Sequence, residues 1–229
     1  MKARVQQHLG EAKSKMNGYV MLLNLRYSNL CVKADPVSLL SVTVRVDDDE
    51  MNIENVAEVG LVNEDTLGVI PKSANLLYDI GRGVMEAHPE FKMDVVQNEN
   101  SDDEEDKYLT FTMPKVDKPR HDLLMDGVKG LNDQCQAKID AVFDYYTAQI
   151  GIDMANAEAS QIDQVKDMLK EVYDFHNDML KKMTDTKKQD IEDAYQRYVQ
   201  AMQEKEQQAM ETAAAHNPMA SMSMKMPRE

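Results

Sequence analysis

MPKVDKPRHDLLMDGVKGLNDQCQAKIDAVFDYYTAQIG, residues 113–151, holds the change of pattern on which the fold turns. Up to Met113-Pro114, in KYLTFTMP (107–114), apolar residues alternate with polar ones. After it, Leu124, Val128, Leu131, Cys135, Ile139, Val142, Tyr146 and Ile150 recur at steps of three and four. The first spacing is that of a half-buried strand and the second that of one apolar face on a helix of about eight turns. Gly151 is expected to end or loosen that helix.

Outward from this stretch, the helical period continues downstream. Ile162, Val165, Leu169, Val172, Met179 and Met183 form a second stripe with Ser160 as its expected N-cap. The pattern runs on through Ile191, Tyr195, Tyr198 and Met202 toward Ala215. Upstream, a proline-free segment from 5 to 32 carries Leu9, Met16, Val20, Leu23 and Leu30 at mostly helical intervals. Helices that are marginal alone need one another to bury such stripes, so these three are expected to form a bundle. HNPMASMSMKMPRE (216–229) has no period and reads as a disordered tail.

A different texture separates the first helix from the second. SLLSVTVRV (38–46) is β-branched and roughly alternating, and EVGLVNEDTLGVIPK (58–72) reads as a hairpin around Asn63-Glu64-Asp65. SANLLYDIGRGVMEAHPEF (73–91) reads as one helix stopped at His88-Pro89. DVVQNENSDDEED (94–106) has seven acids and no base, so it reads as a solvated loop. The expected fold class is therefore α+β: a discontinuous three-helix bundle, 1–34 and 115–215, with a small β/α/β domain, 35–114, inserted between the first and second helices. Asp35-Pro36 and Met113-Pro114 mark the two crossings, where a proline holds the preceding residue extended. They are the expected hinge.

Composition narrows the function. With 41 acids against 26 bases the net charge is −15, so the average surface repels DNA and RNA alike, and any RNA binding must come from a local basic patch. No apolar run is long enough for a membrane span. The cysteines, Cys31 and Cys135, form no CxxC pair and join no histidine cluster, which argues against a disulfide framework and a zinc site. The histidines are scattered, GxSxG and HExxH are absent, and the GRG at 81–83 lacks the strand-turn-helix setting of a phosphate loop. No catalytic residue, metal or cofactor is expected. Residues 1–33 carry six bases against Glu11 alone, the character of a mitochondrial presequence and equally of a basic structural helix.

The order of elements, and three stretches within it, resemble the ribosome recycling factor family. KADPVSLLSVTVRV (33–46) resembles the family's basic-Ala-small-Pro entry to the inserted domain. NVAEVGLVNEDTLGVIPKS (55–73) looks like its hairpin, with a polar turn and a Thr-Leu pair. MPKVDKPRHDLLMDGVKG (113–130) resembles the return to the bundle, with Arg120, Leu124 and the triplet Val128-Lys129-Gly130. The resemblance spans residues 5–191. It implies an L-shaped, non-enzymatic translation factor whose bundle binds rRNA of the large ribosomal subunit and whose smaller domain swings about the hinge. With an elongation-factor-G-type GTPase such a factor separates the subunits after termination. For a eukaryotic chain it implies an organelle, here the mitochondrial matrix.

The resemblance also implies the site. Lys33, Arg120 and Lys129 are its RNA-binding candidates, while Asp140 and Phe143 occupy positions matching two further family arginines. Counted from Lys129, the side of the second helix away from its apolar stripe reads Asp133, Gln136, Asp140, Phe143 or Asp144, and Thr147. A carboxylate where a cation stood changes the local charge by two units and opposes phosphate. Two readings stay open. Asp140 solvates the helix while Phe143 packs against a neighbour, or Phe143, with Tyr145, anchors a protein contact. The second reading belongs with an alternative function, a re-used recycling-factor fold acting in mitochondrial ribosome assembly or as a ribosome-associated structural protein. QRYVQAMQEKEQQAMETAAA (196–215) would then offer a partner surface.

Overall fold

In chain order the elements are α1 (Ala3–Ser28), β1 (Thr43–Val46), β2 (Asp49–Asn52), a single turn α2 (Ile53–Val56), β3 (Ala57–Asn63), β4 (Thr66–Pro71), α3 (Leu77–Ala87), β5 (Lys92–Gln97), β6 (Lys107–Thr112), α4 (Lys118–Asp153) and α5 (Ala159–Ala215). The structure, a computed structural model, describes residues 3–47, 49–97 and 107–215. The expected tail at 216–229 lies outside the described residues, as does most of the acidic stretch.

Two separate cores account for the architecture. Met16 and Val20 from α1, Val128, Ile139, Tyr146 and Ile150 from α4, and Leu169 and Ile191 from α5 meet in the bundle. Leu39, Val44, Ile53, Leu67, Ile80, Leu109 and Phe111 fill the inserted domain. Its main sheet is antiparallel in the order β3-β4-β6-β5, and β1 and β2 form a second hairpin. Phe111 stands opposite both Leu67 and Met93, so the centre of the sheet carries the largest apolar side chain. The bundle core includes one satisfied polar layer: Tyr27 Oη lies 3.0 Å from Thr184 Oγ1, which donates to Asn132 Oδ1 at 2.9 Å. It joins all three helices and fixes their register.

Local chemistry explains several boundaries. Asp117 caps α4 by accepting from the Arg120 N–H, and a proline occupies its first turn. The helix runs through Gly151 to Asp153, because burial of Ile150 and Met154 outweighs a glycine penalty of about 1 kcal/mol. Ser160 is not the cap of α5, which already includes Ala159; the Glu158 carbonyl accepts from the Gln161 and Ile162 N–H groups. The expected strand over 38–46 shortens to Thr43–Val46. Asp35 Oδ1 accepts from the Val37 N–H and starts a short 3-10 turn, Pro36–Leu39, in its place. The segment 94–106 is not all loop, since Asp94 to Gln97 lie in β5, an exposed edge strand whose acidic residue masks its alternation.

The GRG at 81–83 has a packing role. A Cβ on Gly83 would lie 2.9 Å from the Thr43 carbonyl oxygen and 3.3 Å from Val44 Cα, so glycine lets α3 close onto β1. Gly83→Ala is expected to cost about 1–3 kcal/mol in urea unfolding, because backbone must give way. An unchanged midpoint would contradict this close approach.

Both crossings are tied to the same turn. The Ala34 N–H donates to the Glu64 carbonyl and the Met113 N–H to the Asp65 carbonyl, each at 2.8 Å. Met113 is buried in the inserted core, whereas Val116 is buried in the bundle core. At the first crossing the bodies interleave, with Cys31 and Ala34 in the inserted core and Val32 packed against the bundle, and at the second only Pro114 and Lys115 separate Met113 from Val116.

Candidate nucleic-acid interface

α4 shows two unlike flanks. On the flank toward α5, Asp140 Oδ1 accepts from Tyr173 Oη and from Gln136 Nε2, both at 2.8 Å, and Gln136 Nε2 also reaches Asn177 Oδ1 at 3.0 Å. Phe143 packs on Tyr173 with ring centroids 4.5 Å apart. Asp140 and Phe143 are therefore half-buried in the α4–α5 seam rather than on the outward side where helical counting put them. The correction has a simple cause: a stripe about 100° from the core centre faces solvent on a lone helix but a neighbour in a bundle. The Asp140 carboxylate, as acceptor, raises the pKa of the Tyr173 phenol.

The remaining candidates divide between elbow and surface. Arg120 Nη2 donates to the Cys31 carbonyl at 3.0 Å and its Nε is buried without a partner, so this side chain clamps the start of α4 to the first crossing. Lys33 is exposed at that elbow, and Lys129 is exposed farther along α4. Asp35 caps the 3-10 turn, Pro36 and Pro114 are half-buried, and Met113 belongs to the inserted core. Tyr145 is 55% exposed and stands edge-on to Tyr146, on the flank away from Phe143. The structure thus brings Lys33 and Arg120 to one elbow, and separates Tyr145 from Phe143.

A cleft of about 300 Å³ opens at the elbow, lined among others by Tyr27, Cys31, Lys33, Asp35, Lys182 and Lys187. Sequence reasoning missed Lys182 and Lys187. In a run of exposed charges on one long helix, nothing local marks which lysine meets the first crossing. Burial holds the Lys187 amine below the usual lysine pKa. Its unfolded-state pKa is the higher of the two, so the unfolded chain binds more protons between them and stability rises with pH in that window. Lys187→Met, which keeps the apolar stem, is expected to raise Tm at neutral pH, with the advantage shrinking as pH approaches the ordinary lysine range. A lower Tm at neutral pH would show the charge to be stabilising instead.

α5 is the other unusual feature. From Met202 to Ala213 it is exposed on every side, while Arg197 faces the β3–β4 turn across a second cleft lined by Leu61, Asn63, Glu64 and Asp65. No cluster of His, Cys, Asp or Glu able to hold a metal ion occurs among the described residues, and no helix among them is long and apolar enough to cross a membrane.

The sequence matches no family model and no curated protein. In three dimensions the chain is similar to the solution structure of the ribosome recycling factor, with a TM-score of 0.67 and 13% identity over 84% of this chain and 100% of that one. It is also similar, at a TM-score of 0.56 and 15% identity over 82% of this chain and 98% of that one, to a chain from models of the T. thermophilus ribosome recycling factor and E. coli elongation factor G on the E. coli post-termination complex. Two cores, two tethered crossings and an inserted antiparallel sheet give this chain the fold of the ribosome recycling factor.

Proposed function

We propose that this protein acts in translation as a recycling-factor-type protein, binding the large ribosomal subunit and promoting subunit separation after termination together with an elongation-factor-G-type GTPase. The supporting observation is the pair of separate cores linked by short crossings at Cys31–Ala34 and Met113–Val116, in a fold that covers the whole length of a ribosome recycling factor. Two packed bodies linked by short segments move as rigid parts, which suits mechanical work between ribosomal subunits and calls for no catalytic group. Lys33, at the joint, and Lys129, exposed on α4, are its proposed RNA contacts; Arg120 supports them by holding the elbow.

The proposed compartment is the mitochondrial matrix, on the acid-poor character of 1–33. α1 buries Val5, Ala12, Met16, Val20, Leu23 and Tyr27 in the bundle, so in this reading the targeting segment is retained as a structural helix. Co-fractionation of tagged protein with a matrix marker would support this compartment, and a purely cytosolic signal would refute it.

A second reading rests on α5, whose last turns leave the bundle and present Met202 and Met210 to solvent. In that reading the fold serves ribosome assembly, or a structural role, through protein contacts. Sucrose-gradient sedimentation separates the two. Recycling places the protein with mature large subunits or whole ribosomes, assembly places it with a precursor subunit alone, and absence from every ribosomal particle refutes both.

A further inference from the structure

The elbow cleft between α1, α5 and the first crossing holds a cation that the fold leaves unpaired. Met183, Lys187 and Asp190 stand on one face of α5, at i, i+4 and i+7, and look onto Cys31, Lys33 and Asp35 of the crossing. Lys187 is half-buried, and burial disfavours its charge. Among the described residues no carboxylate forms an ion pair or hydrogen bond with its amine, although Asp190 and Asp35 are close enough to act on it through space. A desolvated ammonium without a counterion is costly, so a group held in this way points to a partner from outside the chain.

The charges facing the cleft are Lys33, Lys182 and Lys187 against Asp35 and Asp190, an excess of one cation in a chain whose net charge is −15. One of the two carboxylates is engaged, since Asp35 Oδ1 accepts from the Val37 N–H. Burial pushes the Cys31 thiol up and keeps it neutral, and around it Arg120 and Glu90 supply one further charge of each sign. The volume of about 300 Å³ is at the small end of the range for small-molecule sites, and Tyr27, Val32 and Met183 give the cleft an apolar side. Lysine amines are compact point charges with rotatable donors, which suits the oxygens of a terminal phosphate, whereas carboxylate recognition favours the planar arginine fork. Lys33 and Lys182 are exposed and Lys187 lies deeper, so a phosphate that reaches all three must enter head first. A monoester can do so; a diester, substituted on both sides, cannot.

We propose that this cleft binds a small phosphate monoester with an apolar body, its phosphate held by Lys182 and Lys187 of α5 and Lys33 of the crossing, and that the bound ligand fixes the elbow. The cleft walls come from both bodies, since Tyr27 is buried in the bundle core and Cys31 in the inserted core. A ligand paired with Lys187 on one side and Lys33 on the other selects the elbow angles at which both amines reach it. Its binding would also give Lys187 a use that offsets the amine's cost to stability. The site stands independently of the ribosomal reading.

The test is calorimetric titration of the full chain with phenyl phosphate at fixed ionic strength, with inorganic phosphate, benzoate and methyl phenyl phosphate for comparison. Phenyl phosphate should bind at one site per chain and about tenfold or more weakly to Lys187→Met. That variant is expected to be more stable than wild type, and its Tm, recorded alongside, separates lost binding from lost folding. Lys166→Ala, which removes an exposed lysine of α5 outside the cleft, should bind as wild type does. Saturating phenyl phosphate should slow hydrogen exchange across residues 31–35, including the Ala34 N–H that donates to the Glu64 carbonyl. No binding by wild type, unchanged binding in Lys187→Met, or an equal loss in Lys166→Ala would overturn the site. Any of the three comparison compounds binding as tightly as phenyl phosphate would overturn its ligand class, and binding without slower exchange at 31–35 would overturn its hold on the elbow.

Discussion

Phe111→Ala is expected to destabilise the inserted domain by about 3–5 kcal/mol, the range for truncating a buried aromatic residue. Phe111 is fully buried at the centre of β6 and stands opposite Leu67 on β4 and Met93 on β5, so its loss opens a cavity between the sheet and α3. The bundle core shares none of these side chains. Hydrogen exchange should therefore lose protection across 57–97 and 107–112 while amides of α4 and of α5 up to about residue 198 keep theirs, because the two cores open separately. Loss of protection in both bodies together would mean that the joint transmits packing, and that the two bodies are one cooperative unit.

The second large effect is expected from D140R/F143R, which places arginines at two positions of α4 where the resemblance expects them. On a helix whose outer side met RNA this change would strengthen binding. In this bundle it removes the acceptor shared by Tyr173 and Gln136 and the ring that packs on Tyr173. Hydrogen bonds to a charged group contribute about 1.5–3 kcal/mol each, and the lost ring contact adds to that, so a drop of about 3 kcal/mol or more is expected in urea unfolding. RNA affinity at fixed salt should not rise once the folded fraction is accounted for. Unchanged stability with tighter RNA binding would return Asp140 and Phe143 to the RNA-facing side.

These residues also show how far sequence carries a reading of this kind. The α+β class and the inserted domain were legible because the apolar period changes from two to about 3.6 at Met113-Pro114, and because Asn63 to Thr66 closes a hairpin between apolar runs. Both signals are local. Edge strand β5 was hidden by its exposed, charged composition, and β2 (DEMN) has no buried residue to betray it. Ser160 looked like a cap by type alone, whereas a cap is defined by backbone geometry. The outward stripe of α4 was placed from one helix's period, which gives an angle to its own core but not the position of its neighbours. Lys187 was invisible for the same reason: it meets Cys31 and Lys33 only once α5 packs beside the first crossing.

Light scattering of post-termination ribosomes reads out directly whether this protein does recycling-type work. Complexes bearing deacylated tRNA and mRNA would be mixed with an elongation-factor-G-type GTPase and GTP, with and without this protein. A fall in scattering that requires both the protein and GTP is the predicted result. Scattering no different from that with the GTPase alone, under conditions where the protein is bound to the ribosome, would contradict recycling-type work.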